Sequence, residues 1–442
     1  MLKSFTDIFK IPELKRKILI TLGIIIAYRA GAAVPVSGIN PDALRSLFDA
    51  HSNSLLGFMD MFSGGAMSNL SIFSLGIMPY INASIIMSLL QGAHVLPWVD
   101  RLAKEGEHGR KKITQITRYA TVVLALVQGF GLTMMISKMP TPGGLTIVDN
   151  PTFAFYALTV LTLVTGTMLV MWLGEQITQF GIGNGISLMI FAGIVDRLPA
   201  AIKDFIRMFR IEELSLLKAI VLLVFVLLVI GIVIWVETAQ RKIPVQYAKR
   251  IVGRKMLGGA STFLPLKVDQ AGVIAVIFAI SVLSAPLTVL QFMSNNPWAQ
   301  KLMEFWQRGS WLYEIVYALL IIFFCYFYNS IQMNPTDMAE NMKKWGGFIP
   351  GIRPGEATAK HIQRIIERIT LSGAIFVVLI AIMPDILRSA FNAPFFFGGT
   401  ALLIVVGVSL DTIGQIESQM IMRHYEGFMK QGRIKGRWFN IK

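Results

Sequence analysis

The chain has 442 residues, 54% hydrophobic and only 15% charged, whereas a soluble protein of this size carries about a quarter charged residues; an ordinary soluble globule is excluded. Its charges sit between apolar runs, the pattern of a chain that faces lipid over much of its length. The 41 basic against 26 acidic residues, a net +15, would suggest nucleic acid in a soluble protein, but here they point to anionic headgroups and cytosolic partners.

Along the chain, residues 1–17 are polar and amphipathic, and the apolar stretch after them is long enough to stay as a first span instead of being cleaved. A window of about 20 residues predicts ten apolar segments: Ile18–Val34, Ile72–Gln91, Ile113–Ile136, Phe153–Leu173, Ile186–Ala201, Ser215–Val236, Gly272–Phe292, Leu312–Ile331, Thr370–Pro384 and Phe396–Gln415. The fifth and ninth are short. Before the second lies SLLGFMDMFSGGAMSN (Ser54–Asn69), too short to span and broken by Ser63, Gly64 and Gly65. Such an interrupted piece reads as a short re-entrant helix with a glycine hinge, tolerated at membrane depth only where protein covers it or water reaches it.

Orientation follows from the basic residues. With the N-terminus inside, the inside segments carry 29 Lys and Arg and the outside segments 8, which places both ends in the cytosol. Two inside loops, 237–271 and 332–369, are long, basic and punctuated by Pro and Gly. Plain connectors need only a few residues, so a docking surface is expected there; solvated loops that merely hold topology are the alternative.

Enzyme chemistry is scarce. The sequence has no Gly-Lys dipeptide, hence no Walker-type phosphate loop, and no HExxH, CxxC or GxSxG. Its histidines (His51, His94, His108, His361 and His424) are scattered, and the single Cys325 reads as a small buried hydrophobe with no disulfide partner. Neither a metal nor a cofactor is expected. An ion-coupled transporter, the alternative reading, would need carboxylates near mid-membrane. Asp411 is the main candidate, with Glu175, Glu237 and Glu314 at span edges. Arg29, inside the first span, is expected to snorkel or to pair with a polar neighbour. A lipid-modifying enzyme would need convergent polar residues that the sequence lacks.

Several long runs resemble the SecY family. They are Met61–Ile86, KEGEHGRKKITQITRY (Lys104–Tyr119), TGTMLVMWLGEQITQFGIGNGIS (Thr165–Ser187), QRKIPVQYAKR (Gln240–Arg250), LPLKVDQAGVI (Leu264–Ile274), FIPGIRPGEATAKHI (Phe348–Ile362) and PFFFGGTALLIVV (Pro394–Val406). The likeness runs from about residue 12 to the tail. One departure is Ala275 in GVIAVIF, where the family often has Pro in helix seven.

The resemblance implies an all-α integral membrane protein. About ten transmembrane helices would form two pseudo-symmetric halves of five, 18–201 and 215–416, around an hourglass pore. An external hinge loop at 202–214 would join the halves, and a basic tail, 417–442, would follow them. It implies a protein-conducting channel with no ATPase of its own, passing unfolded secretory chains and releasing apolar segments sideways into lipid. By position, the pore ring would be Ile77, Ile81, Ile190, Ile277, Val282 and Ile404. Branched apolar side chains at a constriction keep water and ions out without binding a peptide by its sequence.

The plug would be the short helix at 55–69, through Leu55, Leu56, Gly57, Phe58, Phe62, Ser63, Gly64, Gly65 and Ala66. Sideways opening would pass between helices two and three on one side and seven and eight on the other, with Gly76 and Pro79 weakening the second helix. Partner docking would use Arg241, Lys242, Lys249, Arg250 and Arg353, whose charge suits carboxylates or RNA phosphates. The implied partners are SecE, SecG, the motor ATPase SecA, the ribosome, signal peptides, unfolded preproteins and anionic lipids, with YidC and SecDF beyond them. The implied location is the bacterial plasma membrane.

Overall fold

The computed structural model describes residues 11–50, 60, 63–92, 96–138, 147–148, 152–211, 215–247, 250–252, 255–257, 261–292, 297–298, 301–302, 310–391 and 399–431. Its helices in chain order are α1 (Pro12–Ala32), α2 (Pro41–Ala50), α3 (Met78–Gly92), α4 (Pro97–Lys104), α5 (Glu107–Lys138), α6 (Phe153–Phe180), α7 (Gly185–Asp196), α8 (Leu198–Arg210) and α9 (Leu216–Thr238). Four strands follow: β1 (Gln240–Tyr247), β2 (Arg250–Val252), β3 (Lys255–Leu257) and β4 (Ser261–Lys267). After them come α10 (Gly272–Phe292), α11 (Trp311–Gln332), α12 (Pro335–Lys344), β5 (Gly347–Phe348), α13 (Glu356–Phe391) and α14 (Gly399–Gln431).

Each of the ten predicted apolar segments falls on one or more of these helices. Among the described residues, seven helical stretches are long and apolar enough to cross a membrane, one of them (Gly185–Arg207) running across α7 and α8, and α10 adds a shorter apolar stretch, Gly272–Ser284. This is a multi-pass membrane protein. Two further predicted segments fall short of that test: α1 opens on the basic run Lys15, Arg16 and Lys17, and α3 has 15 residues. Exposed Leu217, Leu223, Leu227 and Leu228 on α9 are what a lipid-facing helix presents.

Three elements differ from expectation. The second segment is helical only from Met78; residues 63–77 form a chain of turns, with Gly64, Gly65, Gly76 and even Leu70 at positive φ. Gly76 therefore lies ahead of α3, and Pro79 sits in its first turn, where a missing N–H removes no intrahelical bond. Neither weakens the middle of the span. The fifth segment breaks at Arg197, because Pro199 in the first turn of α8 cannot donate back to α7. The region expected as a hinge loop is largely α8. Its Ile202, Ile206 and Phe209 share one side while Lys203, Arg207 and Arg210 fall elsewhere, the spacing of an amphipathic helix.

The main core joins α1, α3, α6, α7, α9, α10, α11, α13 and α14 into one apolar cluster. A second cluster joins α2, α5, α6 and the turn segment through Leu44, Leu47, Met67 and Leu70. Close approach there depends on Gly166 of α6, where a Cβ would stand 1.9 Å from the Ile72 carbonyl oxygen.

Among the described residues, strands from the two long basic loops are joined in one sheet. β1 pairs antiparallel with β4, with Arg241 opposite Leu266 and Lys242 opposite Pro265. On its other edge β1 pairs with β5, from the second loop. Ile243 and Leu266 of this sheet pack on Ile349 and Ile362 in a third apolar cluster.

Candidate functional site

The six aliphatic positions expected at the waist come from separate elements. Ile77 precedes α3 and Ile81 lies one turn into it; Ile190 is on α7, Ile277 and Val282 are on α10, and Ile404 is on α14. Ile77, Ile81, Ile190, Ile277 and Ile404 are buried in the main cluster, and Val282 is half-buried against it. Ala275, where family members often carry Pro, is fully buried in the same cluster. At the seam between α3 and the second half, Gly92 meets Ile331 and Phe327 of α11 closely enough that a Cβ would stand within 3 Å of both side chains.

Of the expected plug, Leu55, Leu56, Gly57, Phe58 and Phe62 lie outside the described residues. Ser63, Gly64, Gly65 and Ala66 are described, and they form turns where a short helix was expected. The turns are wound around Asp60. Its carbonyl oxygen accepts from Gly65 N–H (2.9 Å) and from Ser63 Oγ (3.0 Å), and its Oδ1 accepts from Ser68 N–H (2.8 Å). The Tyr28 hydroxyl donates to the Ser63 carbonyl oxygen (3.3 Å), and Arg29 Nη1 donates to the Gly64 carbonyl oxygen (2.8 Å).

Gly64 touches α7 directly: a Cβ there would lie 2.7 Å from Gly193 Cα, one turn beyond Ile190. Two ion pairs complete the contact, Asp60 with Arg197 and Arg29 with Asp196. Arg29 thus meets both a carboxylate and a carbonyl oxygen.

Arg241 and Lys242 are exposed on β1, and Arg353 is exposed in the turn after β5, its carbonyl oxygen accepting from Thr358 Oγ1 (2.8 Å). Lys249 lies outside the described residues, and Arg250 is placed on β2 by its backbone alone.

Asp411, the leading candidate for ion coupling, is largely exposed and lies 3.8 Å from Lys267 Nζ. Besides Asp60, a second buried acid among the described residues is Asp269, which sequence reasoning passed over. It is 5% exposed, and its Oδ1 accepts from Gly272 N–H (2.7 Å) at the start of α10. An Asp three residues before the apolar run GVIAVIF is the signal that could have found it. A Cβ on Gly272 would stand 3.5 Å from Glu237 Oε1 and 3.9 Å from Asp269 Oδ1, so the two carboxylates face one small space. Burial pushes the Asp269 carboxyl up to about 6, against the opposing pull of the Gly272 N–H and Lys267. Elsewhere, Glu175 makes a two-pronged bond with Arg118 (2.9 and 2.8 Å), tying α6 to α5. Among the described residues no cluster of three or more metal-binding side chains occurs.

The SecY family model matches residues 71–413. The chain is 47% identical over 427 residues to the protein translocase subunit SecY of Escherichia coli strain K12, covering 96% of each. It is 41% identical over 446 residues to the subunit of that name from Thermotoga maritima, covering 99% of this chain and 100% of the relative. Among solved structures, one described as a protein conducting channel matches with a TM-score of 0.65 and 18% identity over 95% of both chains. Sec61 in a canine ribosome–channel complex from the endoplasmic reticulum matches at 0.60 and 16%, again over 95% of both. The structural likenesses speak for the fold, and the matches at 41–47% identity over nearly the whole length place the chain in the SecY family.

Proposed function

We propose that this chain is the protein-conducting channel of a bacterial Sec translocon, with both ends cytosolic in the plasma membrane. Unfolded secretory chains pass through its centre, and apolar segments leave sideways along the seam between α3 and the α10–α11 pair. At rest, Ile77, Ile81, Ile190, Ile277, Val282 and Ile404 close the waist, and Asp60 with residues 63–70 covers it. The observation that supports this reading is that these branched apolar side chains, from elements far apart in sequence, all belong to or pack against one buried cluster. Such a constriction sheds water and blocks ions. It offers a passing peptide no hydrogen bonds, so selection by sequence is absent.

The driving force comes from outside, from SecA or a translating ribosome. The sheet formed by both basic loops, with Arg241, Lys242 and Arg353 exposed, supplies a cationic platform of the kind that suits acidic protein surfaces or RNA phosphate. SecE and SecG complete the complex.

The test is reconstitution of the chain with its small partner subunits and SecA in vesicles. A secretory precursor should become protected from external protease only when ATP is present. A precursor that never gains protection rejects the proposal. Cross-linking of a stalled precursor to a cysteine placed at Ile190 locates the path, and labelling at lipid-facing Leu227 instead would misplace it.

A further inference from the structure

Asp60 and the turn segment 63–70 are held by charge, at one place and by two adjacent residues. Asp196 ends α7 and Arg197 sits in the break before α8. Arg197 pairs with Asp60, at one end of the turn. Asp196 pairs with Arg29 of α1, which also donates to the Gly64 carbonyl oxygen at 2.8 Å. Two neutral ion pairs, Asp60–Arg197 and Asp196–Arg29, thus stand at neighbouring positions of the α7–α8 break, one holding Asp60 and the other reaching the Gly64 carbonyl oxygen.

Their exposures differ in a telling way. The Asp60 side chain is 4% exposed, whereas those of Arg29, Arg197 and Asp196 are 31%, 38% and 43% exposed. The segment therefore contributes the buried charge, and the scaffold contributes partners that reach water. An unpaired carboxylate at Asp60 would be strongly disfavoured while the segment is seated. Once the segment lifts and Asp60 is hydrated, the same pair is worth little.

We infer that Asp60, Arg197, Arg29 and Asp196 form an ionic latch that seats the plug segment against α7. The inference rests on the reading of Asp60 and residues 63–70 as the cover of the waist, and it adds what holds that cover down. Attraction that is strong when dry and weak when wet gives the latch a threshold. Small excursions return, and a wedge that admits water releases it. Gly64 makes the fit possible: its positive φ and its approach to Gly193 bring the carbonyl oxygen to Arg29.

The experiment measures resting ion conductance in planar bilayers holding the chain with its partner subunits. Asp60→Asn and Arg197→Gln should each raise it on the order of tenfold or more, because Arg197→Gln leaves the buried Asp60 carboxylate without its counter-ion and Asp60→Asn removes the charge that holds the segment to Arg197. The double variant should leak no more than the worse single one, since both substitutions break the same bond. Asp60→Glu and Arg197→Lys should restore most of the seal. Asp196→Asn, altering a partly exposed carboxylate, supplies a milder variant should Asp60→Asn fail to accumulate, and should leak less than Arg197→Gln.

Ile81→Gly with Ile277→Gly, measured in the same bilayers, separates this inference from the reading beneath it. A leaking waist variant with silent latch variants overturns the latch alone. Silence from both rejects the closed-channel reading itself. Additive leakage in the Asp60→Asn and Arg197→Gln double variant would also overturn the latch.

Discussion

Replacing Asp269 by Asn should stabilise the protein in a pH-dependent way. The carboxyl lies at the foot of α10, 5% exposed. Glu237 faces the same space, Lys267 stands near on β4, and Asp411 approaches from α14. Burial raises the Asp269 pKa from 3.8 to about 6. The sign follows from proton binding. Below about pH 4 native and unfolded states are both protonated, and the native fold bears no charge penalty. Between about pH 4 and 6 the unfolded chain ionises first, so native stability falls. Above about 6 both are ionised, and the full penalty remains.

At about 1.4 kcal/mol for each tenfold change in proton affinity, the penalty is about 3 kcal/mol. Asn keeps an oxygen for the Gly272 N–H and carries no charge, so the variant should gain up to about 3 kcal/mol at pH 8, less whatever attraction to Lys267 is lost. The assay is thermal unfolding of the detergent-solubilised protein from pH 4 to 8, with hydrogen exchange of the first turn of α10 as the local readout. The variant should melt higher at pH 8 and converge with the parent near pH 4. A gap that ignores pH, or a variant less stable at pH 8, refutes the reasoning.

Other substitutions probe other contacts. Gly166→Ala would force a Cβ onto the Ile72 carbonyl oxygen, and a backbone shift of that kind should lower stability by about 1–3 kcal/mol, read as reduced melting temperature and yield. Ile81→Gly with Ile277→Gly should leave the fold assembled but make resting bilayers conduct ions, because the proposed waist would be widened; unchanged conductance rejects their placement there. Arg353→Ala should slow SecA-driven protease protection several-fold without changing the melting temperature, since the side chain is exposed and only its carbonyl oxygen is used internally.

The helical layout was legible because lipid demands long apolar helices, and the periodicity needed to see them is local. The ends were less legible. Residues 72–77 look like the start of a span and 63–69 like part of a short helix, yet positive-φ positions from Gly64 to Gly76 wind both into turns. Composition reports burial there without reporting shape. The sheet that joins the loops was hidden for a different reason: Gln246 pairs with Phe348, a partner no local pattern could name. Asp60 read as one polar letter inside an apolar piece, and its weight comes from Arg197, 137 positions away. Asp411 drew notice as an acid within a predicted span, but helix geometry turns it outward, while Asp269, in an ordinary-looking loop, is the one that is enclosed.

The shared sheet also has a mechanical meaning. β1 leaves α9 after the single residue Ala239, and β4 reaches α10 across residues 268–271. β5 binds that hairpin to the segment between α12 and α13. A load pressed onto the hairpin is therefore shared at once among α9, α10 and α13, so a force applied to this sheet works a short lever on α10, the helix that carries Ile277 and Val282.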